Sequence, residues 1–113
     1  MNKHTNRVHR LPLTLHTALV KIQLQRLKEG GRGNRPNMAG LFLEMMHLGM
    51  VLSKGEKPSP ELLEAEMKKS GGVTVSVSIL SDLATQAKLK AIAKNGRQLS
   101  ETAMGLIIVA LKR

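Results

Sequence analysis

The sequence predicts an α+β fold, mostly α, made of two copies of a strand-helix-helix unit joined head to tail. Three observations predict it. Gly31-Arg32 followed by Gly40-Leu41 returns as Gly96-Arg97 followed by Gly105-Leu106, each displaced by 65 positions. Each copy opens on residues alternating at the period of a strand and continues at the period of a helix. Each closes on a second, strongly apolar stretch that a lone helical hairpin has no means of burying.

A chain of 113 residues, 42% apolar, suits one domain, and with Phe42 its only aromatic the interior must be filled by Leu, Ile, Val and Met. In the first copy His9, Leu11, Leu13 and Leu15 alternate with Val8, Arg10, Pro12 and Thr14, so Leu11, Leu13 and Leu15 are expected to point inward. Pro12 has no N–H to give to a ladder and belongs where that side of the backbone need not pair. From Thr17 the period changes. Leu19, Ile22, Leu27 and either Val20 or Leu24 form one apolar stripe of a helix ended by Gly30-Gly31. After a turn at 32–37, with Asn34 or Asn37 as N-cap, a nearly all-apolar helix runs from Met38 to about Leu52.

Residues 53–72 form a linker in which Glu61 to Lys69 has the composition of a short polar helix, and Ser70-Gly71-Gly72 reads as a hinge. In the second copy Val73, Val75, Val77 and Ile79 alternate with Thr74, Ser76 and Ser78, and Ser81 or Asp82 caps a helix through about Lys94. Asn95-Gly96 stops that helix, Ser100 is a candidate N-cap, and Ala103 to Leu111 is the core of the last helix. On this reading the strands align at a displacement of 64, one short of the helices, with one extra residue near Leu80. The organisation is a basic arm (1–8), a first unit (9–52), the linker (53–72) and a second unit (73–113).

Charge is unevenly placed. Of the formal +10, residues 1–35 carry +7, residues 36–72 carry −1 and residues 73–113 carry +4. A chain this basic seeks polyanions. The absence of cysteine removes disulfides and Cys-based zinc sites and is compatible with a cytoplasmic location. Neither a signal peptide nor a membrane span is expected, since Glu44 and His47 interrupt the longest apolar stretch. His4, His9, His16 and His47 lie in no metal-ligand or catalytic spacing, and Gly30-Gly31-Arg32-Gly33 lacks the preceding strand of a P-loop. No enzyme, metal or cofactor is therefore expected. Met38, Met45, Met46 and Met50 are read as core filling.

The strand at Val73–Ile79, the helix closed by Asn95-Gly96-Arg97 and the Ser100-Glu101 start of the last helix resemble the ribbon-helix-helix family of DNA-binding proteins, the Arc and MetJ superfamily. The doubled arrangement is similar to the TraY-type proteins of conjugative plasmids. The first copy departs from the pattern with Pro12 in the strand and Gly-Gly at the turn. The resemblance implies that both strands pair into one two-stranded antiparallel ribbon over a four-helix core and that the ribbon enters the major groove of double-stranded DNA.

Given that implication, strand parity assigns Arg10, Pro12, Thr14, Thr74, Ser76 and Ser78 as base contacts, Arg10 being able to donate two hydrogen bonds to guanine. The bland alternative is that Thr and Ser merely suit a solvated strand face. The helix starts at Asn34, Arg35 and Asn37 and at Ser100 and Glu101 offer N–H groups to phosphates, as ordinary caps also do. Lys3 and Arg7 of the arm are further phosphate candidates. Lys21, Arg26, Lys28, Lys88, Lys90 and Lys94 are expected to face solvent and add long-range attraction. The expected function is sequence-specific DNA binding, as a transcriptional regulator or a plasmid relaxosome accessory factor, with neighbouring copies on DNA as possible contacts and no membrane or small-molecule substrate as partner. A weakly specific nucleoid-type protein and a protein-interaction module are the alternatives.

Overall fold

In the computed structural model, residues 4–30, 37–94 and 98–113 are described, the side chain of His4 excepted. The order is β1 (His4–Pro12), α1 (Leu13–Gly30), α2 (Met38–Leu52), α3 (Pro60–Lys69), β2 (Thr74–Asp82), α4 (Leu83–Ala93) and α5 (Leu99–Leu111). The fold is α+β and mostly helical, with β1 and β2 paired antiparallel as a two-stranded sheet.

The register runs from His4 opposite Asp82 to Pro12 opposite Thr74. One step beyond, the Leu13 N–H donates to the Val73 carbonyl at 3.0 Å, which makes that pair hydrogen-bonded. Alternation then puts Pro12, Arg10, Val8 and Asn6 in the non-hydrogen-bonded pairs. Pro12 therefore costs the ladder no bond, because its nitrogen faces away from β2.

The first strand differs from the sequence expectation. It begins at His4 rather than His9, so the segment read as a basic arm is largely strand, and it ends at Pro12. Leu13 opens α1 and is 40% exposed, whereas Leu15 is buried from within the helix, four residues before buried Leu19. The cause lies far along the chain. The Thr14 N–H donates to Ser70 Oγ at 3.0 Å, and the Thr14 hydroxyl donates to Glu66 Oε2 at 2.6 Å. Side chains of α3 and its C-terminal end thus satisfy the start of α1 and stop the strand.

The strands and the helices that follow them are displaced by 70 positions, from His4 to Thr74 and from Leu13 to Leu83, while the starts of α2 and α5 are displaced by 61. This replaces the expected strand displacement of 64. Seven of the nine positions between 70 and 61 arise because α1 has 18 residues and α4 has 11, and the other two because the connection to α2 is seven residues long and that to α5 five. The Gly31-Arg32 and Gly96-Arg97 turns lie outside the described residues.

The centre of the molecule is the crossing of α2 and α5. A Cβ on Gly49 would sit 2.0 Å from the Leu106 carbonyl oxygen, so the two backbones touch. Around this point Leu41, Phe42, Met45, Met46, Ala103, Leu106, Ile107 and Ile108 are buried, in keeping with the all-round apolar character of both helices. The methionines at 45, 46 and 50 are core. Asn37 caps α2 by accepting from the Gly40 N–H, Ser59 caps α3 and Asp82 caps α4. Helix α3, expected at 61–69, packs on α1 and α5.

Candidate nucleic-acid interface

Alternation divides the ribbon into two faces. Inward lie Arg7, His9 and Leu11 of β1 and Val75, Val77, Ile79 and Ser81 of β2, with Leu11, His9, Ile79 and Ser81 buried. Outward lie Asn6, Val8 and Arg10, opposite Leu80, Ser78 and Ser76 respectively, and all six are exposed. Because these are the non-hydrogen-bonded pairs, their side chains stand close together across the strands. The Ser78 hydroxyl donates to Asn6 Oδ1 at 2.8 Å and ties the two strands on this surface.

The inward face fixes the ribbon on the helices through a histidine. His9 is 3% exposed, stacks on Phe42 of α2 with ring centroids 4.8 Å apart, and shares a 2.7 Å hydrogen bond between Nδ1 and Ser100 Oγ of α5. Burial, reinforced by the nearby Arg7 guanidinium, pushes the His9 pKa down from 6.5 to about 4, so the ring is neutral at pH 7.

Of the six base-contact residues read from the sequence, Arg10, Thr74, Ser76 and Ser78 are exposed on the outward strand positions. Pro12 and Thr14 are corrected. Pro12 is fully buried. Thr14 belongs to α1, and its hydroxyl is committed to Glu66 and Ser70. Asn6, Val8 and Leu80 share the outward face; the sequence puts Val8 in the same alternation as Arg10 without counting it as a contact, and sequence reasoning misses Asn6 and Leu80 because it starts β1 too late and ends the alternation of β2 at Ile79. The signal available is parity itself, extended three residues before His9 and one beyond Ile79.

The phosphate candidates divide similarly. Lys3, Asn34 and Arg35 lie outside the described residues. Arg7 sits at an inward position of β1, half-buried, with its Nε buried and lacking a hydrogen-bond partner, so it is not part of a free arm. Asn37 is exposed, its side-chain oxygen occupied by the Gly40 N–H at 2.6 Å. Ser100 is not the cap of α5. It is the second helical residue, engaged by His9, and Gln98 stands at the cap position without a side-chain cap bond. Glu101 is exposed in the first turn of α5, where its carboxylate complements the helix dipole and opposes an incoming phosphate.

Lys21, Lys28, Lys88, Lys90 and Lys94 are exposed. Arg26 is instead held by Glu44 at 2.5 Å, a pairing that raises the arginine pKa and lowers the glutamate's, chiefly through their hydrogen bond. A recess of about 400 Å³ between α3 and α5 is rimmed by Lys57, Lys68, Glu64 and Glu101, a balanced set that selects neither sign of ligand charge. Among the described residues there is no group of three His, Asp or Glu able to hold a metal, and no helix is long and apolar enough to cross a membrane. No family model matches the chain, and no curated protein or solved structure matches it either.

Proposed function

We propose that the protein is a sequence-specific double-stranded DNA-binding protein that lays the outward face of β1 and β2 in the major groove. The observation that carries this reading is the clustering of exposed Arg10, Ser76 and Ser78 in adjacent cross-strand positions. A two-stranded ribbon fits a major groove about 12 Å wide, and an arginine there donates to the O6 and N7 of guanine. The net charge of +10 and the exposed lysines supply sequence-independent attraction to the phosphates.

In this reading β1-α1-α2 and β2-α4-α5 are two ribbon-helix-helix units of one chain, their four helices make a shared core, and α3 is the strap that joins them. The protein then acts in the cytoplasm as a binding factor rather than an enzyme, either on transcription or beside a relaxase on a conjugative plasmid.

The test is selection of bound duplexes from a randomised pool by the full chain at near-physiological salt. An enriched short motif is the expected result, and its position beside promoters or beside a transfer origin separates the two roles. Retention without enrichment assigns a nucleoid-type role. Lack of retention overturns DNA binding in favour of a protein partner.

A further inference from the structure

We infer that Val8 and Leu80 form an apolar subsite for thymine methyl groups, so that the recognised sequence carries thymine two base pairs from the one read by Arg10. The inference rests on the DNA-binding reading above and deepens it.

Val8 is 61% exposed and Leu80 56% exposed, on a face whose other members are Asn6, Arg10, Thr74, Ser76 and Ser78. Val8 stands opposite Ser78 and Leu80 opposite Asn6, so the two apolar side chains are diagonal neighbours. The other diagonal is closed by the bond from Ser78 to Asn6. That bond holds the polar pair in place and leaves the apolar pair as the projecting element of this half of the ribbon. Water gains nothing from such a pair, and a phosphate backbone gains nothing from it either. An apolar group presented by the partner does.

In the major groove one base supplies such a group: thymine, through its C5 methyl. The spacing matches. Successive outward residues on a strand are about 6.8 Å apart, at about 3.4 Å per residue. Two base-pair steps of a duplex cover about the same distance. The row of Asn6 and Leu80, the row of Val8 and Ser78, and the row of Arg10 and Ser76 therefore fall on every second base pair, with thymine contacts in the first two and guanine in the third. Burying one methyl strengthens binding about fourfold.

The experiment uses the full chain and the duplex enriched by selection. Each thymine of the motif is replaced by deoxyuridine, which removes the methyl group and keeps every hydrogen-bonding atom. Binding is expected to weaken about fourfold at one or two positions. Val8→Ala and Leu80→Ala, both at exposed sites, are expected to keep their thermal midpoints and to lose that sensitivity, each at its own position, as a double-mutant cycle requires. Equal affinity for thymine and deoxyuridine duplexes in the unmodified protein overturns the subsite while leaving DNA reading intact. Sensitivity that persists undiminished in both variants overturns it as well. Absence of any enriched motif overturns the subsite and the DNA-reading function together.

Discussion

The inward and outward faces of the ribbon are made by alternate residues of the same two strands, yet they do opposite work. Inward, the polar His9 is accepted because α2 and α5 supply Phe42 and Ser100 to receive the ring. Outward, Val8 and Leu80 are left in solvent although they are apolar. Polarity therefore does not tell the faces apart. What distinguishes them is whether another element of the chain packs against them, as Phe42 and Ser100 do against His9. The inward face packs on the helices, and the outward face is open to solvent.

The sharpest way to break this contrast is to charge the inward face. Leu11 is 0% exposed, belongs to the hydrophobic core and stands opposite Val75, so Leu11→Asp buries a carboxylate among apolar side chains; a loss of about 3–5 kcal/mol or more is expected, read as a collapsed urea midpoint. Leu11→Ala opens a cavity under the ribbon at a residue that is 0% exposed, and is expected to cost about 2–5 kcal/mol in the same measurement. Thr14→Val removes the hydroxyl that Glu66 accepts from. It should cost about 1–3 kcal/mol, and it tests whether α3 terminates the strand.

His9 provides a pH-dependent test. Its folded pKa of about 4 lies below its ordinary 6.5, so the unfolded chain binds the extra proton between those values. Stability from this group is complete above pH 6.5 and is lost as pH falls from there towards 4. The slope it adds is at most about 1.4 kcal/mol per pH unit. Thermal midpoints across that window should fall less steeply for His9→Gln than for the unmodified chain, the difference removing the carboxylates that titrate in both. The smallest effect on stability belongs to the outward face. Arg10→Ala should move the midpoint by less than about 0.5 kcal/mol, yet relax discrimination at one base pair by about 1–3 kcal/mol in competition binding. Loss of stability comparable to that of Leu11→Ala would dissolve the contrast.

Much of this architecture was legible. The Thr-Val-Ser-Val-Ser-Ile alternation marked β2, Ser81 or Asp82 marked the start of α4, and the apolar runs marked α2 and α5 as central, because each signal is local. The start of β1 was not, since Thr5 and Arg7 occupy inward positions without being apolar, and only pairing with Ser81 and Ile79 reveals them as strand. Its end was hidden for a different reason. Leu11, Leu13 and Leu15 fit a period of two across a boundary that is set by Ser70 and Glu66, more than 50 residues away. For the outward face, parity correctly placed Arg10, Thr74, Ser76 and Ser78, and failed at Pro12 and Thr14 through the same boundary.

The distance between the strands has a kinetic consequence. Sixty-one residues separate Pro12 from Thr74, so closing the ribbon costs a loop entropy of about 3–4 kcal/mol beyond the constant term. A tight hairpin pays far less of it. Contacts this remote in sequence slow folding, and β1 must wait for β2 while the chain is being synthesised. The outward surface consequently exists only once the whole chain has folded, and any competence it has for a partner is a property of the finished molecule rather than of either strand.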